Sequence, residues 1–424
     1  MRSPVCQARF FFNSISSDHA CTILKFLFAC QTIPWDKDLI LSPAVVILPD
    51  NRYLGLYIHI PFCVRKCLYC DFVSTASGSE QYRRYVAAAV NEMKFWSARF
   101  EGTAFSTVYV GGGTPSLIGS ELLGEIIEGA RGSFTINRDA EITVEVNPGT
   151  ISRDFWAKIQ EAGVNRVSIG VQSFSDPLLE AIGRVHDSET AVLAVKGARE
   201  AGLANVGVDL IYGLPGQSPE IWETSLKTAI ALQPAHVSAY CLSYEEGTPF
   251  ERLRENGEIV PVVPDEESKM YYRAVEILQA SGYRRYEISN FARPGFECRH
   301  NMNYWNYGEY LGIGVGAHSF RGGRRWENGC DINRYLDTSY EGPSVMQEPL
   351  GGHDCLKEFM MLGLRKSDGI LMKDIEDGWG EEALRITDVA RRLESRGLVN
   401  LKNGRLSIAD SGLFVSNSLI AEFF

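Results

Sequence analysis

The chain has no apolar run long enough to cross a bilayer. The nearest approach, Ala20 to Ile33, is broken by Lys25 and falls short of the roughly 20 residues that a spanning helix needs. It has no surplus of positive charge. Its 42 Lys and Arg stand against 53 Asp and Glu, and the net charge of −11 repels phosphate backbones and counts against general nucleic-acid binding. It also lacks a paired-cysteine framework. Of its ten cysteines only Cys63, Cys67 and Cys70 cluster, while Cys6, Cys21, Cys30, Cys241, Cys298, Cys330 and Cys355 are scattered. That pattern does not read as a secreted disulfide scaffold, so a reducing, cytoplasmic compartment is expected. Residues 1–52 lack clear periodicity. Arg2, Arg9 and several serines would suit a targeting peptide, but an N-terminal extension from a start placed too early is the simpler reading.

What is present is enough for a large core. Hydrophobic residues make up 45% of the 424, and the 22% that are charged are spread along the chain, which implies one big domain and a smaller one. Six apolar, β-branched runs read as buried parallel strands: Leu56–Phe62, Thr107–Val110, Glu141–Val146, Arg166–Gln172, Asn205–Tyr212 and His236–Leu242. Helical stretches lie between them, at Gln81–Arg99, Ser120–Arg131, Asp154–Ala162, Ser188–Ala201 and Pro219–Leu232, with Gly163 and Gly202 as stop signals. Alternating β and α implies right-handed crossovers and a parallel sheet. Six units are fewer than the usual eight, so the expected fold is α/β, a partial (β/α)6 barrel open on one side, over residues 53–285. A region rich in Gly, Asn and aromatics connects over 286–350. The last segment, 351–424, reads as three helices (Asp354–Leu364, Met372–Asp377, Glu382–Arg396) and a hairpin turned at Asn403-Gly404, a small winged-helix-like domain.

Cys63-Val-Arg-Lys-Cys67-Leu-Tyr-Cys70 places three thiols in a short loop directly after the first strand. Such a loop can wrap three corners of a [4Fe–4S] cube and leave one iron open for a ligand. A structural zinc site would want a fourth Cys or His close by. Asp71, Phe72 and Val73 offer none, and His59 is the zinc alternative.

Residues 56–72, LYIHIPFCVRKCLYCDF, resemble the radical S-adenosylmethionine (SAM) superfamily. Within it they resemble the coproporphyrinogen oxidase-like branch, which contains the oxidase HemN and the haem chaperone HemW. In that superfamily a reduced [4Fe–4S] cluster cleaves SAM to methionine and a 5′-deoxyadenosyl radical, and the protein positions and tunes the cofactor. The resemblance implies metal ligands Cys63, Cys67 and Cys70. It assigns the loop after the second strand, with Gly112, Gly113 and Thr114, to the methionine amino group of SAM, glycine letting the backbone approach a ligand closely. It gives Arg184 to the SAM carboxylate and Tyr57 to the cofactor side, with Tyr69 covering the cluster or the adenine. Glu145, Gln172 and Asp209 lie near the carboxyl ends of apolar strands and read as a polar ring for the ribose, adenine and amino group, the alternative being core hydrogen bonding.

A second constellation, Cys298-Arg-His300-Asn301-Met-Asn303-Tyr304-Trp305, contains HNxxYW and resembles the motif associated with haem in the HemW branch. His300 is the candidate haem ligand, Cys298 the second, and a satisfied structural histidine the bland alternative. His318, in a glycine-rich strand, either approaches SAM or packs. HemN-type oxidases read CxxxCxxCxC, and the place of their further cysteine is Phe72 here. That absence and HNxxYW favour a chaperone that takes haem and delivers it to apo-haemoproteins, with a flavodoxin or ferredoxin as electron donor. The alternatives are an oxygen-independent coproporphyrinogen III oxidase and, on the strength of the winged-helix-like tail, an RNA-modifying enzyme, against which the acidic charge counts.

Overall fold

The computed structural model describes residues 32–33, 54–76, 78–337, 340–347 and 350–424. Apart from Thr32–Ile33, the expected N-terminal extension lies outside the described residues.

Six strands run parallel and neighbour one another in chain order: β1 (Leu54–Ile60), β2 (Ala104–Gly112), β3 (Thr135–Val146), β4 (Arg166–Gln172), β5 (Asn205–Tyr212) and β6 (His236–Cys241). Their side chains alternate by strand geometry. Leu56, Ile58, Val108, Val110, Val144, Val167, Ile169 and Val208 are fully buried in one apolar core. The residues between them, Tyr57, Tyr109, Glu145, Ser168 and Asp209, line the inside of the curve. Helix α1 (Ser79–Ser97) shows why the outer layer forms. Its buried residues Tyr85, Val86, Ala89, Met93 and Trp96 recur at helical spacing and make one stripe against the sheet. Further helices follow their strands: α2 (Ser120–Ser133), α3 (Phe155–Glu161), α4 (Ser188–Glu200) and α5 (Pro219–Ala231), with α6 (Pro264–Ala280) after β6. Asp187 and Ser218 cap α4 and α5 through their side chains, and α3 and α4 end at Gly163 and Gly202, whose φ of 94° and 93° suits glycine.

The curve does not close. β6 pairs antiparallel with Asn290–Ala292, and the free side of β1 pairs in parallel with β7 (Tyr310–Ile313). Three further described strands and Thr32–Ile33 extend the sheet beyond β7. The partial six-unit barrel read from the sequence is therefore the fold, and β7 is a seventh parallel strand that the glycine-rich run over 311–320 disguised.

The C-terminal region holds a helix at Gly352–Gly363 and a three-stranded sheet of Ile370–Leu371, Val399–Lys402 and Arg405–Ile408. The expected second and third helices form one unit, Met372–Ser395, bent at Trp379 (φ −145°, ψ 50°). The hairpin turns where expected, with Asn403 and Gly404 at φ 55° and 71°. Its apolar core is continuous with that of the barrel. Glu358 reaches across as well, pairing with Arg325 at 2.8 Å and accepting from Tyr307 Oη at 2.9 Å. No helix among the described residues is long and apolar enough to cross a membrane.

Candidate cofactor site

β1 delivers the chain into the cysteine loop, which three elements then hold. Cys63 N donates to Thr75 O (3.1 Å), Leu68 N to Ile182 O (3.2 Å), and Phe250 N to Leu68 O (2.9 Å). All three thiols line the same cavity, at the carboxyl ends of the strands. Burial pushes the Cys63 and Cys70 thiols up, and the Cys67 sulfur adds to this in both. A bound cation would reverse that balance, which suits metal-ligating sulfurs. Among the described residues no three His, Cys, Asp or Glu side chains converge on one point that could hold a single ion. His59 is engaged elsewhere: Nε2 is 2.8 Å from Val73 O and Nδ1 3.1 Å from Tyr57 Oη, and it does not line the cavity that the thiols share.

The other sequence-selected residues meet at this cavity. Tyr57, Tyr69, Gly112, Gly113, Thr114, Glu145, Gln172, Arg184, Asp209 and His300 all line it. Glu145 accepts from Tyr109 Oη (2.8 Å) and Gly112 N (3.0 Å), and burial lifts its pKa to about 7. Asp209 accepts from Ser168 (3.0 Å) and Ser238 (2.6 Å), and burial raises it too. Arg184 donates through Nη2 to Gly170 O (2.5 Å) and lies 3.6 Å through Nη1 from Cys67 Sγ. Its Nε is buried with no partner among the described residues, as a residue awaiting an anionic group would be. Gln172 sits at φ 67° in a strand bulge, a left-handed backbone that costs of order 1–3 kcal/mol. Tyr69 is buried against Leu178, Leu179 and Ile182 beside two of the thiols.

The glycine-rich loop also needs glycine for its packing. A Cβ on Gly113 would sit 2.7 Å from Phe62 O, and one on Gly112 2.5 Å from His59. Close packing against β1 and the start of the cysteine loop thus requires glycine at both positions. His318 faces Glu327, with Nδ1 3.1 Å from Oε2, and does not line the cavity.

HNxxYW folds as the plug of the barrel floor. Residues 299–305 form helix α7 (Arg299–Trp305), whose N-terminus points at Glu141 of β3. The Glu141 carboxylate accepts from Arg299 N and His300 N (both 3.1 Å), and the Cys298 thiol lies 3.6 Å away. Cys298 also caps the helix by accepting from Asn301 N, and burial holds its thiol protonated, pushed up to about 12. His300 is 1% exposed. Its Nδ1 is 2.8 Å from Thr107 Oγ1, its Nε2 is 3.0 Å from Tyr304 Oη, and its ring stacks 5.0 Å from that of Tyr109. Both ring nitrogens are thus engaged by the protein. Burial lowers the pKa to about 3, so the imidazole is neutral.

Several cavity residues carried no sequence signal as site residues. Tyr109, Arg166, Ser168, Ser238 and Tyr240 line it from β2, β4 and β6. They read as ordinary strand residues, and only the curvature that turns their face inward marks them. The recoverable clue was Arg166, a charge opening an apolar strand.

The chain is similar to known proteins along most of its length. A model of the radical SAM superfamily matches residues 57–229, and one of the HemN C-terminal domain matches 351–415. The haem chaperone HemW of Bacillus subtilis is 34% identical over 87% of this chain and 98% of its own length. That of Lactococcus lactis is 33% identical over 87% and 96%, and that of Escherichia coli 42% over 67% and 77%. The solved structure of E. coli coproporphyrinogen III oxidase (HemN), described as a radical SAM enzyme, superimposes with a TM-score of 0.79 over 97% of this chain and 99% of that one. Its identity is 24%, so this likeness speaks for the fold.

Proposed function

This chain belongs to the HemW haem chaperone family of the radical SAM superfamily, and from that premise we propose that it binds a [4Fe–4S] cluster, SAM and haem and passes haem to apo-haemoproteins. The observation that carries the reading is identity of 33–34% to haem chaperones across 96–98% of their length. Phe72, where oxidases of this branch place a further cysteine, supports it.

In this reading Cys63, Cys67 and Cys70 would hold the cluster, which would supply reducing electrons to SAM when bound. Glu145 takes the amino group of SAM, Arg184 its carboxylate, and Asp209 with Gln172 the ribose and adenine edge. Tyr69 and the leucine-rich cluster behind it keep water from the sulfurs. The raised pKa of Glu145 makes its charge depend on conditions near neutrality, whereas Arg184 stays charged throughout. A cytoplasmic location and a small electron-transfer donor complete the proposal.

For the haem iron, His300 is the candidate we retain, at a cost. Ligation through either nitrogen gives up the bond to Thr107 or to Tyr304, a loss of about 1–3 kcal/mol if the hydroxyl stays buried. Cys298 is the weaker candidate, because its thiol is fully buried and already committed to the helix cap. One experiment tests the function: haem titration and a coproporphyrinogen III conversion assay on the same reconstituted protein. The reading expects a stoichiometric Soret band, transfer to an apo-haemoprotein and no decarboxylation. Robust decarboxylation without haem binding would replace it with the oxidase.

A further inference from the structure

The cavity continues below the residues assigned to SAM, and its floor holds a cation that nothing in that assignment uses. Arg166 opens β4, in register with Thr143 of β3 and Asn205 of β5. It is 1% exposed and lines the cavity. None of its side-chain nitrogens hydrogen-bonds or ion-pairs with a described residue, and Nε and Nη1 are fully shielded. A guanidinium carries five N–H donors and keeps its charge in a protein. Leaving the shielded Nε and Nη1 donors unmet in the interior is costly.

The carboxylates around it do not meet that need, because each is turned to other donors. Glu141 serves the N-terminus of α7. Glu145 serves Tyr109 and Gly112. Asp209 serves Ser168 and Ser238. Asn301 of α7 and the rings of Tyr57, Tyr109 and Tyr304 line the same space.

We propose that the barrel floor is a second ligand subsite, in which Arg166 binds the carboxylate of a small molecule lying beneath SAM. A carboxylate matches the fork of a guanidinium with two parallel N–H···O bonds. A single negative charge fits better than a phosphate dianion, because Glu141, Glu145 and Asp209 already surround one cation. The aromatic wall suits an apolar or planar body behind the carboxylate. The acid is either free or one arm of a larger molecule such as haem. The position beneath SAM rests on the proposed SAM reading. The anion subsite itself does not.

The test is saturation-transfer NMR with propionate on the reconstituted holoprotein, with propionamide as the neutral analogue of equal shape. The SAM affinity is read on the same samples, so a failure of the SAM reading appears separately. Propionate should bind and propionamide should not. Arg166→Met should weaken propionate roughly tenfold or more, and Arg166→Lys should restore part of the loss. Asn301→Leu, which fills the floor from α7 and leaves the guanidinium in place, should also weaken it. Added haem distinguishes the sources: displacement of propionate places a haem propionate on Arg166, and no displacement leaves a free acid. Equal binding of propionate and propionamide, or propionate binding indifferent to both Arg166→Met and Asn301→Leu, overturns the proposal. So does failure of the wild-type protein to bind propionate.

Discussion

Glu145 should make SAM binding depend on pH across neutrality. Burial lifts its pKa to about 7, against bonds from Tyr109 and Gly112 that pull it down; Asp209 raises it further and Arg166 opposes the rise. If only the ionised carboxylate holds the SAM amino group, about nine-tenths of it is competent at pH 8 and about one-tenth at pH 6. Affinity should then fall roughly tenfold from pH 8 to pH 6. Glu145→Gln removes the charge-assisted bond, worth about 1.5–3 kcal/mol, and should set affinity at a low level throughout. The amino group of SAM titrates in a similar range, so the quantity to read is the difference between wild type and Glu145→Gln, by anaerobic calorimetry on protein with an intact cluster. Stability runs the other way. The folded pKa lies above the unfolded value, so this group's contribution is full below about 4.5 and is lost as pH rises through about 7. SAM-free wild type should therefore lose more Tm than Glu145→Gln between pH 5 and pH 8. A wild-type affinity that tracks that of Glu145→Gln at every pH would refute the placement of Glu145 against the amino group.

Three further outcomes are expected. Anaerobic reconstitution should load about four irons per chain with broad visible absorption, and Ala at Cys63, Cys67 or Cys70 should abolish it, whereas Ala at Cys241 or Cys330 should not; a cluster that survives Cys67→Ala sinks the assignment. His300→Ala should shift the Soret band or lower haem affinity with Cys298→Ala as the control, and a spectrum indifferent to both places the haem elsewhere. Glu358→Ala should leave Arg325 buried without its partner and cost about 3–5 kcal/mol of stability, so an unchanged Tm contradicts the buried pair.

The sequence by itself determined the parts that are local. The six barrel strands announced themselves as apolar runs, because a parallel strand covered on both faces has little polar surface to present. Cys63, Cys67 and Cys70 needed only their spacing, since one short loop carries all three thiols. Asn403-Gly404 named its own turn through two left-handed residues. β7 was harder, because Gly312, Gly314 and Gly316 around it resemble a loop until β1 supplies its hydrogen bonds.

Only the tertiary structure decided which polar side chains face one another. In the sequence HNxxYW looks open to a ligand. Folded, α7 plugs the barrel floor, with both nitrogens of His300 held by Thr107 and Tyr304 from distant or neighbouring turns. Gly112 and Gly113 looked like a ligand cradle, and only the fold shows that a Cβ at either would also crowd His59 or Phe62. Arg166 looked like the unremarked first residue of a strand. Spacing along a chain reports which face of its own element a residue occupies, but not what the other strands of the barrel place across from it. That opposition leaves the Arg166 charge on the floor of the cavity, its shielded Nε and Nη1 unmet by any described residue.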